Sequence, residues 1–186
     1  AVDWYNKAVV DLWGDGKLTD PGKGIEYLNE AIRLKPDYAD AYNARGAAYG
    51  LLGQNQLAIQ DYDTAIRLKP DYAEAYGNRG ITYVHLGQHQ RAIQDYDTAI
   101  RLRPDYATAY NNRGGDYFDL GQYQRAIQDY DTAIRLKPDY ADAYNNRGLA
   151  YILSGNSRDG CPSLLRACEL GTCKGYEVSR QKGDCR

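Results

Sequence analysis

The apolar residues of the chain recur at intervals of three and four, which is the spacing of one face of an α-helix. Residues 39–72 show this pattern twice, first up to Gly53 and then up to Pro70. Glycine readily ends a helix, and proline stops one because it lacks an N–H donor and its ring clashes with the preceding turn. The apolar positions are Tyr42, Gly46, Tyr49 and Leu52, followed by Ala58, Ile59, Tyr62, Ala65 and Ile66. The pattern predicts two antiparallel helices.

This helix pair recurs along the chain with a period of 34 residues, marked by Pro36, Pro70, Pro104 and Pro138. Three copies are nearly identical, one before them is degenerate, and one after them starts alike and then diverges. We number them repeats 1 to 5, spanning residues 1–38, 39–72, 73–106, 107–140 and 141–174. A Cys-stapled C-terminal helix is predicted over residues 175–186. Such a period is typical of stacked helix pairs, here a single solenoid domain.

The residues around the prolines predict how the helices begin. The aspartate after each periodic proline, such as Asp71, is expected to offer its carboxylate to the free N–H groups of the next first helix. Asp37, Asp105 and Asp139 are expected to do the same. The remaining prolines, Pro21 and Pro162, are predicted to start second helices.

The repeat resembles the tetratricopeptide repeat family over roughly residues 3–174. Counting Ala39 as position 1, the family pattern has aromatic residues at positions 4, 11 and 24, small residues at 8, 20 and 27, and proline at 32. Repeat 2 has Tyr42, Tyr49, Tyr62, Gly46, Ala58, Ala65 and Pro70 there. The resemblance implies an all-α, right-handed α-α superhelical solenoid of about five helix-turn-helix repeats plus a C-terminal capping helix. It also implies protein or peptide partners.

Position 7, usually leucine in the family, is arginine in repeats 2 to 5, at Arg45, Arg79, Arg113 and Arg147. Each lies one helix away from the acidic pair of a DYD motif, such as Asp61 and Asp63. A structural ion pair between helices is favoured over a ligand contact.

The composition of the chain argues against several kinds of binding site and partner. Of the 19 tyrosines, 15 fall at positions 4, 11, 24 and 34, so the tyrosines are predicted to pack rather than to line a cofactor site. The net charge is −2, from 25 acidic and 23 basic residues, which makes nucleic acid and membrane surfaces poor partners. No apolar run approaches the roughly 18 residues that a transmembrane helix needs.

Three motifs that could carry chemistry fail on inspection. The DYDT string at Asp61 occurs three times in mid-helix, and the GDGKLTD stretch around Asp15 lacks the ligand spacing of a calcium loop. His85 and His89 are separated by Gly87, which is predicted to end the helix between them. The sequence therefore predicts no enzyme, no cofactor and no metal site.

All four cysteines lie in the last 26 residues, at Cys161, Cys168, Cys173 and Cys185. Disulfides are favoured over buried thiols and over zinc, because no CxxC pair or nearby histidine is present. If residues 162–170 and 174–183 form a helical hairpin with its turn near Gly171, the favoured pairing of the three is Cys168–Cys173 with Cys161–Cys185. Disulfides predict an exported protein, periplasmic or extracellular. The start at Ala1 fits a removed signal peptide, and a chain cut elsewhere would look the same.

The family resemblance implies that peptides bind in a concave groove at positions 2, 5, 6, 9, 12 and 13. Repeats 3 and 4 differ at eight positions, five of which are on this list. Drift where packing permits and a groove with individual pockets explain this equally well. The predicted groove residues are Asn43, Asn78, Asn111, Asn112, Asn145, Asn146, Phe118, Ile152 and Leu153. No Lys or Arg set for clamping a carboxylate is present at these positions.

The ends of the array predict a second function, which is self-association. Solenoid ends expose apolar faces unless polar helices cap them, and complementary ends associate head-to-tail. The predicted assembly ends are Trp4 and Trp13 in the first helix and Tyr176 and Val178 in the last. The sequence thus predicts a non-enzymatic scaffold, exported and self-assembling head-to-tail into a filament or oligomer. The alternative is a monomeric adaptor that captures an extended peptide in its groove.

Overall fold

The computed structural model describes residues 1–13 and 20–185, apart from the side chains of residues 11–13. Within these ranges it contains eleven helices and no strand, so the all-α prediction is confirmed. Residues 14–19 of the GDGKLTD stretch and the side chain of Trp13 lie outside the described residues.

The helices fall into two compact bodies, Ala1–Leu102 and Arg103–Arg186. The N-terminal body contains α1 Val2–Trp13, α2 Pro21–Leu34, α3 Ala39–Leu51, α4 Asn55–Leu68, α5 Ala73–His85 and α6 His89–Leu102. The C-terminal body contains α7 Ala107–Asp119, α8 Tyr123–Leu136, α9 Ala141–Leu153, α10 Ser157–Glu169 and α11 Lys174–Lys182. Within each body, a first helix packs on the second helix of its own repeat and on both helices of the repeat before it. The first helices α7 and α9 therefore share one face, which we call the first-helix face.

In repeats 2 to 4 the spacing between the two helices is set by a glycine under a tyrosine ring. A Cβ atom added at Gly80 would lie 2.7 Å from Cε1 of Tyr96, and one at Gly114 would lie 2.7 Å from Cε1 of Tyr130. Tyr96 and Tyr130 are each 1% exposed. Positions 8 and 24 thus form the core contact of repeats 2 to 4, because only glycine lets the ring approach the helix so closely.

The helix ends agree with the glycine prediction and correct the aspartate prediction. Gly53, Gly87, Gly121 and Gly155 follow the first helices with φ of 71°, 69°, 71° and 85°, a left-handed conformation that favours glycine. At the starts, the N-cap residue is tyrosine, and its side chain makes no capping hydrogen bond. The Ala73 N–H donates to the backbone carbonyl of Asp71 at 3.1 Å, and the other three repeats do likewise. The expectation that the Asp carboxylate caps these helices was wrong because the backbone turn supplies the acceptor.

One proline prediction is confirmed and the other is wrong. Pro21 is the first residue of α2, and the Asp20 carboxylate accepts a hydrogen bond from the Lys23 N–H at 3.1 Å. Pro162 lies inside α10 instead of at its start. Helix α10 begins at position 17 of its repeat, as α4, α6 and α8 do, with Asn156 as its N-cap. The register of the repeat therefore sets the helix start, and proline does not.

The arginines at position 7 form ion pairs between helices, as predicted. Arg79 donates from Nε and Nη2 to the carboxylate of Asp95 at 2.8 and 2.7 Å, and from Nη1 to Asp63 of the preceding repeat at 2.5 Å. Burial raises the pKa of the Asp95 carboxyl, and the hydrogen bonds from Arg79 oppose that shift. The same guanidinium lies 5.6 and 5.9 Å from the ring centroids of Tyr76 and Tyr83. Tyrosines at positions 4 and 11 therefore enclose the arginine.

In repeat 5 this ionic arrangement is incomplete. Serine replaces the buried aspartate, and Arg147 donates from Nε to the Ser163 hydroxyl at 3.2 Å. Among the residues that the structure describes, Asp131 is then its one ion-pair partner, at 2.6 Å. Two disulfides occur in the same region, Cys161–Cys185 and Cys168–Cys173, with sequence separations of 24 and 5 residues. We call them the outer and the inner disulfide. They connect α10 to the segment that contains α11.

Candidate functional site

The asparagines predicted to line a groove mainly hydrogen-bond one another. Asn78 donates to Asn43 Oδ1 at 3.0 Å, and Asn146 donates to Asn111 Oδ1 at 3.3 Å, in each case between neighbouring first helices. Asn111 is buried, and its amide also donates to Asn112 at 3.4 Å. These amides form rows of hydrogen bonds between neighbouring first helices. On the C-terminal body the row includes Asn111, Asn112 and Asn146.

A pocket opens on the first-helix face of the C-terminal body. Its volume is about 230 Å³, and it is lined by Gly115, Phe118, Asp119, Tyr130, Asn146 and Leu149. Gly115 creates the space, because position 9 holds Ile81 in repeat 3 and Leu149 in repeat 5. A Cβ atom added at Gly115 would meet nothing within 4 Å. Phe118 is held at the side of the pocket by an edge-to-face contact with Tyr123, with ring centroids 5.5 Å apart.

The base of this pocket is polar. Tyr130 is almost fully buried, and its hydroxyl makes no hydrogen bond within the described part of the chain. Its counterpart Tyr62 hydrogen-bonds the side chain of Thr82, whereas the residue at the place of Thr82 here is Ala150. Burial raises the pKa of Tyr130, and the nearby carboxylate of Asp119 raises it further.

Three other predicted groove residues lie away from the pocket. The side chain of Ile152 lies against Gly160 of α10, and Leu153 is exposed at the end of α9. The amide of Asn145 lies beside Gly175 of α11. The structure therefore brings Phe118 and Asn146 together at one pocket, while these three residues contact or approach other elements.

The two predicted assembly ends present different surfaces. Trp4 packs on Tyr27 with ring centroids 5.4 Å apart and lies under the Lys7 ammonium at 4.8 Å. Val2 and Val10 of α1 are 56% and 63% exposed. A cavity of about 570 Å³ beside them is lined by Asp3, Asn6, Lys7, Val10, Lys23 and Tyr27.

At the other end, α11 packs against both α9 and α10, the place that a first helix of a further repeat would take. Val178 is exposed on α11, and Tyr176 lines a shallow cavity of about 300 Å³ with Glu177, Arg180 and Gln181. Helix α11 therefore covers the last full repeat and presents a mostly polar surface.

Sequence reasoning missed Tyr130 and Leu149 as site residues and assigned no role to Gly115 and Asp119 beyond their variability. The signal was present in the repeat alignment. Glycine at position 9 of one repeat removes a side chain from the shared face, and alanine at position 10 of the next removes the partner of a buried tyrosine. Reading the two substitutions together would have located the pocket.

Two further features bear on function. Among the described side chains, those of residues 1–10 and 20–185, no three His, Cys, Asp or Glu residues are grouped in a way that could hold a metal ion. No helix in the same ranges has the length and apolarity to cross a membrane.

Comparison with known proteins identifies the fold family. No curated protein sequence matches the chain. A family model described as TPR repeat matches residues 24–53, 51–87 and 116–155, and one described as tetratricopeptide repeat matches residues 73–106.

Comparison with solved structures identifies the same fold. A crystal structure of MamA is 27% identical over 88% of this chain and 92% of its own, with a TM-score of 0.74. YrrB, described as a TPR protein with an unusual peptide-binding site, is 19% identical over 98% of this chain and 92% of its own, with a TM-score of 0.73. A chain of the APC/C hetero-tetramer Cut9-Hcn1 is 19% identical over 98% of this chain and 37% of its own, with a TM-score of 0.81. The chain belongs to the tetratricopeptide repeat family.

Proposed function

We propose that this protein is a non-enzymatic scaffold that binds an extended segment of a partner polypeptide on the first-helix face of its C-terminal body. The observation that supports this most directly is the pocket at Gly115 and Phe118, since it lies where repeats 3 and 4 differ. The family is generally non-catalytic. YrrB is described as having a peptide-binding site, and Cut9-Hcn1 is a hetero-tetramer, so proteins of this fold do engage polypeptides.

A peptide selection tests this proposal. Peptides would be selected from a random displayed library on immobilised protein, and their affinities measured for the wild type and for Phe118→Ala with Leu149→Ala. We expect at least about tenfold weaker binding, because these two side chains are the large apolar residues that line the pocket. Gln128→Ala, on the exposed side of α8, is the matched control and should bind as the wild type does. Selected peptides that bind the double variant unchanged would exclude this face.

A second candidate function is self-association through the ends of the array. It is favoured by the exposed Val2 and Val10, which leave α1 without the polar surface of a capping helix. Both ends are basic on balance: the N-terminal end carries Lys7 and Lys23 against Asp3, and α11 carries Lys174, Arg180 and Lys182 against Glu177. Head-to-tail contact would therefore strengthen as salt screens this repulsion.

Sedimentation velocity at two salt concentrations tests the association. We expect larger species at high salt and high protein concentration, and their loss in Val10→Glu. Leu57→Glu, at an exposed position on α4, controls for the added charge and should associate normally. A monomer at every concentration and salt level would end the self-assembly proposal.

We also propose that the protein works in an oxidising compartment outside the cytoplasm. The support is that all four cysteines are placed in disulfides, both tied to the last two helices. The test compares protein exported by a bacterial expression host with protein kept in its cytosol. Exported protein should have no reactive thiols after denaturation and should unfold at higher temperature. Equal stability of the reduced cytosolic form would contradict this location.

A further inference from the structure

The size of the pocket on the first-helix face fits one amino-acid side chain. Its volume of about 230 Å³ falls below the roughly 300–1,000 Å³ of typical small-molecule sites. It exceeds the roughly 150 Å³ of an apolar cavity that holds a benzene ring. An elongated side chain from a bound polypeptide therefore fits better than a free metabolite.

The lining of the pocket is apolar at the sides and polar at the base. Phe118 and Leu149 provide the apolar sides, and the buried hydroxyl of Tyr130 makes no hydrogen bond to any described residue. A wholly apolar occupant would cover this hydroxyl and leave it without water or a partner, which is unfavourable. An occupant with an apolar stem and a polar tip would instead satisfy it.

The charges on the first-helix face indicate whether the polar tip of the occupant is positive or negative. At the groove positions of repeats 4 and 5, the charged residues are Asp119 and Asp142, and no Lys or Arg occurs among them. Arg113 and Arg147, the arginines of α7 and α9, are instead bonded to the acidic DYD residues of second helices. Asp119 lines the pocket itself, and it is one of three carboxylates that raise the pKa of Tyr130 after burial. The local field therefore favours a cation.

We propose that this pocket binds the side chain of a lysine in the partner polypeptide. The lysine methylenes lie between Phe118 and Leu149, and the ammonium group donates to the Asp119 carboxylate and to the Tyr130 hydroxyl oxygen. Lysine combines an apolar stem with three donors on a compact tip, which matches this lining. The inference rests on the proposed binding of a polypeptide to this face and specifies the residue that anchors it.

The test uses capped pentapeptides Ala-Ala-Xaa-Ala-Ala, with lysine, norleucine or glutamate at Xaa, titrated into isotopically labelled protein and followed by NMR. We expect the lysine peptide to shift the amide signals of Gly115, Phe118 and Leu149. Its Kd should be at least about tenfold lower than that of the norleucine peptide, which has a stem of the same kind without the charge.

Three variants separate pocket binding from general attraction. Gly115→Ile copies Ile81 of repeat 3 and fills the pocket from a helix position where a Cβ atom meets nothing, so the fold should persist while lysine binding falls more than about tenfold. Asp119→Asn should weaken binding about fivefold, the effect of losing one partly solvated ion pair. Asp142→Asn removes the same charge at the start of α9 and should leave the Kd within about twofold.

The outcomes distinguish this inference from the proposed function. Equal affinity for norleucine, or full binding of the lysine peptide by Gly115→Ile, overturns the lysine pocket. If peptides then still shift signals elsewhere on α7 and α9, polypeptide binding to the face survives. If none of the three peptides, nor any selected from the random library, shifts a signal on this face, both proposals fall.

Discussion

Adjacent glycines in α7 offer a direct test of the core contact that sets the repeat. A methyl group at Gly114 would lie 2.7, 3.0 and 3.2 Å from Cε1, Cδ1 and Cζ of Tyr130, whereas one at Gly115 would lie in open space. Carbon atoms normally approach no closer than about 3.5 Å. In Gly114→Ala the ring of Tyr130 must therefore move by several tenths of an ångström within a packed core.

The expected free energies follow from these contacts. Overpacking of this kind costs about 1–3 kcal/mol, and replacing a helical glycine by alanine gains about 0.5–1 kcal/mol at either position. Gly114→Ala should thus be destabilised by up to about 2 kcal/mol, and Gly115→Ala stabilised by about 0.5–1 kcal/mol. The gain in helix propensity is the same in both variants and cancels in the difference between their free energies of unfolding. That difference therefore measures the steric cost of the clash with Tyr130, about 1–3 kcal/mol.

Urea unfolding followed by circular dichroism at 222 nm measures this difference. The midpoint should rise for Gly115→Ala and fall for Gly114→Ala, with Gly80→Ala behaving like the latter because Tyr96 lies in the same relation to it. Equal midpoints for the two α7 variants would refute the view that position 8 must be glycine because of the ring at position 24.

Three further predictions concern the ion pairs, the tyrosines and the disulfides. Asp95→Asn should destabilise the protein by about 3 kcal/mol because it breaks a buried pair with Arg79, while Asp63→Asn, at an exposed partner of the same arginine, should cost less than about 1 kcal/mol in the same urea assay. Burial raises the pKa of Tyr62 above its ordinary 10.0. The contribution of this tyrosine to stability is therefore complete below about pH 10 and is lost as pH rises, because the unfolded chain ionises first. The free energy of unfolding should fall less steeply with alkaline pH in Tyr62→Phe, and absorbance at 295 nm reports the ionisation. Serine at both cysteines of the outer disulfide should cost about 3 kcal/mol, and at both of the inner one about 2 kcal/mol, from loops of 24 and 5 residues; equal losses in thermal unfolding would show that loop length does not control them.

The repeat made most of the fold predictable from sequence. A 34-residue period with proline, glycine and tyrosine at fixed places determines helix lengths and partners, since each copy must pack on the next one. The same logic correctly predicted that the position 7 arginines pair with the DYD aspartates. What failed was local: Asp71 does not cap α5 with its carboxylate, and Pro162 does not begin α10. In both cases the packing of the repeats fixed where the helix begins, and this outweighed the capping preference of aspartate and the helix-start preference of proline.

The candidate site was only partly predictable, because a pocket depends on which side chains are missing. Phe118 and Asn146 were identified by their position in the repeat, and both line the pocket. Asparagine type alone was a poor guide, since Asn43 and Asn111 are engaged with neighbouring amides. The pocket arises where Gly115 faces the next repeat, a relation between repeats that no single motif contains.

The arginine network also determines how unfolding spreads. Arg79 bonds to an aspartate of its own repeat and to one of the repeat before it, so melting either repeat leaves a charge with fewer partners. Neighbouring repeats within a body should therefore melt together, as coupled elements of a one-dimensional array. In the last repeat Arg147 still pairs with Asp131 of repeat 4, but Ser163 replaces the carboxylate within its own repeat, and there the outer disulfide adds a covalent link between α10 and the end of the chain. Reduction of the protein should consequently make the C-terminal helices the first to exchange their amide hydrogens, ahead of the repeats linked by arginine.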